Sequence, residues 1–198
     1  YMIKYLYLVR HGETLFNQLK KVQGACDSPL TEVGKLQATS VKKYFENNGI
    51  VFDHAYSSTQ ERASDTLEII TPLPYKRLKG LKEMNFGRFE GESTALQPKG
   101  TSYFESFYVA YGGDTAVSVR ERMQTTLVDM MCQNDHQQVL AVSHNGACFY
   151  FLSQIWKKNY GPQPTQLPNG CIIKLSFSNN QFQLIEIIDP EKVDVERN

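Results

Sequence analysis

The stretch "LYLVRHGET", residues 6–14, decides how this chain is read. Leu6, Tyr7, Leu8 and Val9 make the unbroken apolar run expected of a strand covered on both faces. The run stops on Arg10, His11 and Gly12: a cation, an imidazole and the residue with the freest backbone. A buried strand that ends on such groups predicts a site at its carboxyl end.

Working outward, "IKYLYLV" (3–9) is the first strand, and "TEVGKLQATSVKKYFENNG" reads as a helix. Thr31 is its N-cap, Val33, Leu36, Val41, Tyr44 and Phe45 form its apolar stripe, and Asn48-Gly49 stops it. "VFDHAYSS" (51–58) is a second strand, with Ser58 and Glu61 spaced as a capping box for the next helix. "YKRLKGLKE" (75–83) is weakly strand-like. "GESTALQPKGT" is loop-like, and "SYFESFYVAYGG" reads as one short aromatic helix, so residues 91–113 form a lid insertion. "TAVSVRERMQTTLVDMMCQ" is a long amphipathic helix, "QQVLAV" (137–142) a strand and "GACFYFLSQIW" a helix. "CIIKLSFS" and "QFQLIEII" close the chain as a hairpin turning at Asn179-Asn180. Strands alternating with helices predict one α/β domain over 1–198, a three-layer α/β/α sandwich. Its central sheet is expected to be mostly parallel, and the insertion to be a small helical lid.

Bulk properties narrow the class of partner. Lys plus Arg equals Asp plus Glu at 21 each over 198 residues, so no net field favours nucleic acid or an anionic membrane. The basic pairs Lys20-Lys21, Lys42-Lys43 and Lys157-Lys158 read as solvated faces. Cys26, Cys132, Cys148 and Cys171 are widely spaced and form no C-x-x-C, which reads as reduced thiols in a cytoplasmic protein. No signal peptide is expected from the first residues. The most apolar region, "VLAVSHNGACFYFLSQIW", is interrupted by Ser143, His144, Asn145 and Gly146 and does not read as a membrane span.

Four polar clusters fall at strand ends. Arg10-His11-Gly12 follows the first strand, Arg62 lies in the first turn after the second, Glu83 closes the third and His144 the fourth. In open α/β sheets, ligands bind outside the carboxyl ends of the strands. Arg guanidiniums match phosphate through their planar fork of donors. A helix N-terminus behind Gly12 would add amide donors, and the missing side chain there would let an oxygen approach the backbone. A neutral imidazole can attack phosphorus, and a carboxyl group can protonate the leaving oxygen. Neither an H-E-x-x-H spacing nor a phosphate-binding glycine loop with Lys and Ser/Thr is present, so no metal is expected.

These residues resemble the histidine phosphatase superfamily, also called the phosphoglycerate mutase-like family. "LVRHGETLFN", "VQGACDSPLTEVGKLQA", "YSSTQERASDT", "LKEMNFGRFEG", "GGDTAVSVRERM" and "VLAVSHNGA" are similar to its successive blocks, from about residue 3 to 150. The resemblance implies that His11 is the nucleophile that becomes phosphohistidine and that Glu83 is the acid. It implies a phosphate pocket of Arg10, Arg62 and His144, with Asn17 donating to a phosphate oxygen and Gln23-Gly24 lining the mouth. Leu30, Gly34 and Leu36 are expected to pack, and Ser58 to be a cap. The family usually has Gly directly after the second histidine; here Asn145 precedes Gly146. Asn tolerates a left-handed backbone, and its side chain could instead add a donor, so both Asn145 and Gly146 are expected at the substrate.

The family contains phosphatases and mutases. A mutase must exclude water and hold a second anionic group. After the acid, mutases resemble one another in an Arg-His-Tyr-Gly run, whereas this chain has Met84-Asn85-Phe86-Gly87 followed by Arg88. Its insertion carries Lys99 but no Arg, and the aromatics Tyr103, Phe104, Phe107, Tyr108 and Tyr111 recur near helical spacing as a satellite core or as contacts to an apolar leaving group. The expectation is a phosphate monoester hydrolase without cofactor. The alternatives are a phosphoglycerate mutase primed by 2,3-bisphosphoglycerate and a phospho-ligand-binding module without turnover. The expected partner is a small phosphate monoester, not nucleic acid or membrane.

Overall fold

Twelve strands and helices carry the fold in the computed structural model, which describes residues 2–195. Strand β1 (Lys4–Arg10) is followed by the single helical turn α1 (Leu15–Gln18), then α2 (Glu32–Asn47), β2 (His54–Ser58), α3 (Glu61–Ile70) and β3 (Tyr75–Leu78). After a run of 3-10 turns come α4 (Ala116–Met131), β4 (Gln138–Ser143), α5 (Asn145–Ile155), β5 (Ile172–Ser178), β6 (Gln181–Ile188) and α6 (Pro190–Val195). The sheet order is β3-β2-β4-β1-β5-β6, parallel from β3 to β1 and antiparallel across β5 and β6.

The alternation of β1 sets the layers. Leu6 and Leu8 join a core with α4 and α5, whereas Tyr7 and Val9 join one with α2 and α3. The helices therefore cover both faces, as the strand pattern predicts. The hairpin turns on Asn179 and Asn180, both left-handed at φ 51° and 58°, the geometry of a type I′ turn.

Several local expectations are corrected. On α2 the buried face is Gly34, Ala38, Val41 and Phe45, while Val33 and Leu36 are exposed. The reason is close approach. A Cβ on Gly12 would meet the Gly34 carbonyl oxygen at 2.3 Å, and one on Gly34 would meet the Glu13 carbonyl oxygen at 2.0 Å. The two glycines interlock, so Gly12 makes room for a helix and not for a ligand oxygen, and α2 rolls its larger residues outward. Thr31 does cap α2, through the Gly34 amide. Strand β2 begins at His54 rather than residue 51, because Asp53 turns aside to accept the Gln137 and Gln138 amides. Ser58 forms no capping box: α3 starts at Glu61 with Gln60 as N-cap, and the Ser58 hydroxyl instead accepts the Gln60 amide.

The aromatic segment is not one helix but two 3-10 turns, Thr101–Phe104 and Phe107–Tyr111, after an earlier one at Thr94–Leu96. Tyr108 is fully buried against Phe86, Phe89, Phe104 and Phe107, and this aromatic group is continuous with the core under α4 and α5 instead of forming a separate satellite core. Hydrogen bonds between Thr94 N and Lys20 O and between Val22 N and Glu92 O pin one end of the 91–113 segment. Asn85 and Asp114 exchange bonds at the other. No helix among the described residues is long and apolar enough to cross a membrane.

Candidate active site

Parallel pairing of β1 with β4 puts Arg10 opposite Ser143, so His11 and His144 leave the sheet side by side. Their ring centroids are 5.1 Å apart. Both rings are buried. The chain after β1 makes only one turn, α1, capped by Thr14, so a long helix N-terminus behind Gly12 is not what faces the site.

The hydrogen bonds settle the tautomer of His11. Its Nδ1 lies 2.7 Å from the Gly12 carbonyl oxygen, which can only accept, so Nδ1 carries the proton. Arg62 Nε donates to Nε2 at 3.3 Å, so Nε2 holds the lone pair. Burial lowers the His11 pKa well below its usual value, and the Arg62 and Arg10 guanidiniums add to the shift. His11 is a neutral base with its lone pair held by the Arg62 guanidinium.

Arg62 is held from the far side. Nη1 donates to Asp27 Oδ1 (2.9 Å) and to the Cys26 carbonyl (2.8 Å), and Nη2 donates to the Gly24 carbonyl (2.9 Å). Four of its five N–H bonds are assigned, leaving one on Nη2. Arg10 Nη1 donates to the carbonyl of Leu167, far along the chain, while Arg10 Nε is buried with no partner among the described residues.

His144 follows the same logic through Ser58. The Ser58 Oγ is 2.7 Å from His144 Nε2 and accepts from the Gln60 amide at 3.2 Å. Among the described residues Nε2 is the acceptor within reach of the Ser58 hydroxyl proton, so the hydroxyl donates to it while accepting the Gln60 amide. His144 therefore carries its proton on Nδ1, which is buried with no partner among the described residues. Burial, then Arg62, His11, Arg10 and Arg122, lowers the His144 pKa well below normal. It is a neutral N–H donor, not an imidazolium.

Glu83 is clamped at the start of α5. Oε1 accepts the Met84 and Ala147 amides, each at 2.8 Å, and Oε2 accepts the Gly146 amide at 2.9 Å. Arg122 Nη1 donates to the carbonyls of Gly80 (2.9 Å) and Lys82 (2.8 Å) and fixes the approach segment. A Cβ on Gly146 would lie 2.7 Å from Glu83 Oε1, which explains a glycine there.

Arg10, His11, Asn17, Gln23, Glu83, Asn145 and Gly146 line one cavity of about 670 Å³. Arg62 and His144 stand behind His11. Asn17 Oδ1 takes hydrogens from the Thr14 amide, the Thr14 hydroxyl and Asn169 Nδ2, so its own Nδ2 hydrogens are what remain for a ligand. Gln23 is tied to the Thr14 and Ser28 hydroxyls.

Three expectations change. Gly24 lies behind the wall instead of at the mouth, because its amide is on Glu90 Oε2 and its carbonyl is on Gln60 and Arg62. The Gly146 amide serves Glu83 and not a phosphate. Asn145 has no left-handed backbone; it begins α5, and its Oδ1 accepts the Leu167 amide at 2.9 Å. That bond braces the segment whose carbonyl holds Arg10. Lys20 and Lys21, read as a solvated pair, are exposed but line the cavity mouth.

Some functional neighbours escape sequence reading. Gln60 links the Glu83 amide, the Gly24 carbonyl and Ser58. Glu90 accepts the amides of Gly24, Ala25, Cys26 and Phe86. Asn169 Nδ2 donates to the His11 carbonyl at 3.1 Å; the only local signal for it is the turn "LPNG", residues 167–170.

The family model described as "Histidine phosphatase superfamily (branch 1)" matches residues 6–190. The chain belongs to this superfamily. It is an enzyme of that group, with both phosphatases and mutases among its relatives. A Bacillus subtilis (strain 168) protein named uncharacterized phosphatase PhoE is 29% identical over 180 residues, covering 89% of this chain and 90% of the relative. A probable phosphoglycerate mutase GpmB of Proteus mirabilis (strain HI4320) is 30% identical over 188 residues, covering 89% and 86%. A solved phosphoserine phosphatase of Entamoeba histolytica in complex with 3-phosphoglyceric acid is 28% identical, covers 92% of this chain and 95% of its own, and superposes with a TM-score of 0.74.

Proposed function

We propose that the chain is a phosphate monoester hydrolase that works through a phosphohistidine on Nε2 of His11. The observation that carries this reading is the oriented pair of neutral imidazoles, one offering a lone pair and the other an N–H, between two guanidiniums. In the first step Nε2 attacks phosphorus, the bond to the leaving oxygen breaks, and Glu83 gives that oxygen a proton. Oε2, with a single amide bond, is the carboxyl oxygen with room for the proton. Charge on the phosphoryl oxygens meets Arg10, Arg62 and the Nδ1–H of His144. Arg62 Nε–H is released from Nε2 as the N–P bond forms, and the Gly12 carbonyl steadies the positive ring through Nδ1–H. In the second step Glu83 takes a proton from water, whose oxygen attacks phosphorus and returns His11 to its neutral form. All groups in these steps belong to this chain, so no cofactor or metal is invoked.

Phosphoryl transfer to a second alcohol is the competing reading. Lys20 and Lys21 at the cavity mouth favour it, because a mutase needs cations for a second anionic group. The lid, with no Arg and with Phe104 facing the cavity, favours hydrolysis of an ester with an apolar part. Phosphorus NMR on 3-phosphoglycerate primed with 2,3-bisphosphoglycerate, beside a panel of simple esters, separates the two. Free phosphate from several esters without 2-phosphoglycerate supports hydrolysis, and turnover should survive EDTA. Formation of 2-phosphoglycerate without free phosphate refutes hydrolysis. His11→Ala is the control in both arms.

A further inference from the structure

Two of the four histidines lie at the other end of the sheet. His54 opens β2, and His136 sits in the turn just before β4; both strands run parallel with β1, so these are amino ends. The rings stack at 3.7 Å with planes 10° apart. Asp135 joins them: Oδ2 is 3.0 Å from His54 Nε2, and Oδ1 is 2.8 Å from His136 Nδ1. One nitrogen or oxygen from each residue lies within 4.8 Å of the other two.

We propose that His54, Asp135 and His136 form a binding site for a borderline divalent ion such as Zn²⁺, remote from the phosphate cavity. Two imidazoles and a carboxylate suit zinc, nickel or copper, not the hard cations magnesium and calcium. A first-row ion about 2.1 Å from each ligand sets them at most about 4.2 Å apart. The Asp135 oxygens already lie 3.0 and 2.8 Å from the two ring nitrogens, inside that limit, so an ion enters by small shifts of Asp135 and His54 that open these contacts. His54 has 34% of its side chain exposed and Asp135 71%, so both have room to do so.

The buried member is already oriented from behind. Tyr56 Oη lies 2.6 Å from His136 Nε2, so Nδ1 faces Asp135. Metal-ligating histidines place the other ring nitrogen in a hydrogen bond of this kind. Binding at Nδ1 shifts that proton to Nε2, whose N–H then donates to Tyr56 Oη as the phenol proton turns away, because a phenol oxygen accepts as readily as it donates. The site opens onto a groove of about 580 Å³, which gives an ion entry and space for water ligands. Exposed Asp129 on α4 borders the groove, as do Lys76 and Lys79, whose long side chains can turn their charges to solvent.

The test is calorimetric titration of the whole chain with ZnCl₂, in buffer free of phosphate and chelator, for wild type, His54→Ala and Asp135→Asn. Thermal unfolding followed by circular dichroism checks that each variant folds, and the same melts are repeated with ZnCl₂. The expected result is one high-affinity ion per wild-type chain, at least tenfold weaker in both variants, with the melting temperature raised by zinc in wild type alone. Absence of wild-type binding overturns the proposal and leaves the cluster as a hydrogen-bonded tie between β2 and β4. Equal affinity in folded variants also overturns it, because the ion would then sit elsewhere, such as on His11 and His144.

Discussion

Replacing Ser58 by alanine tests how the site chooses its protons. Ser58 is fully buried, and its hydroxyl accepts the Gln60 amide while directing its own proton to His144 Nε2. Removal has two separable effects. Leaving Nε2 and the Gln60 amide without that partner costs about 2 kcal/mol of stability, or ~4–8 °C in Tm for a chain of this size. The second effect falls on catalysis. Without the hydroxyl, His144 can hold its proton on Nε2 and turn a lone pair toward the phosphoryl oxygens. Losing one preorganised donor to developing charge costs about 2.7–4 kcal/mol. Part of this is recovered, because the productive tautomer still exists in the population. A fall in kcat of roughly 10- to 100-fold is therefore expected, with KM little changed. p-Nitrophenyl phosphate is the assay substrate, since its leaving group needs little help from Glu83 and the measurement isolates phosphoryl charge. Ser58→Thr, which keeps the hydroxyl, should recover most of kcat. An alanine variant with kcat within twofold of wild type, whatever its Tm, refutes the tautomer argument and makes Ser58 structural.

Three further outcomes are expected. His11 and His144 are held neutral in the fold but titrate normally when unfolded, so the unfolded chain binds more protons below about pH 6.5 and stability falls as the medium is acidified. The loss reaches at most ~1.4 kcal/mol per pH unit per histidine, and His144→Asn should flatten the Tm curve between pH 7 and 5; a Tm that rises toward pH 5 would contradict this. Gly146→Ala drives a Cβ against Glu83 Oε1 and should lower kcat on alkyl phosphates by about 10²-fold or more, but much less on p-nitrophenyl phosphate. Asn145→Gly removes the brace on Leu167 and so loosens Arg10; KM should rise roughly fivefold, about 1 kcal/mol, and unchanged kinetic constants would dismiss the brace.

Much of the site was legible because the fold concentrates it at strand ends. A strand end is local in sequence: Arg10 and His11 follow an apolar run, and His144 follows another. Their mutual approach then follows from parallel pairing alone. What stayed hidden acts through backbone atoms across long separations. Leu167 serves Arg10 with a carbonyl and Asn145 with an amide, neither of which depends on a leucine side chain. Glu90 closes the 24–26 turn from the far side of the chain and looks like any surface acid in the sequence. The face of α2 was misjudged for a different reason. Counting bulky residues selected Leu36, but the contact there is made by Gly34 and Ala38, where smallness decides the fit.

The four histidines show how much of this chemistry is set by neighbours and how little by residue type. His11 and His144 stand at carboxyl ends of strands among guanidiniums, buried, with one nitrogen of each ring fixed by an uncharged oxygen. Cations beside a desolvated imidazole keep it neutral, and the oxygen behind it decides whether it presents a lone pair or an N–H. The same sheet carries His54 and His136 at its amino ends, where the shared neighbour is the Asp135 carboxylate. An anion beside two imidazoles offers the donor set of the metal site proposed above. A metal placed at the carboxyl ends would instead meet two guanidiniums. The polarity of the parallel sheet thus separates two histidine chemistries that a count of residues cannot tell apart.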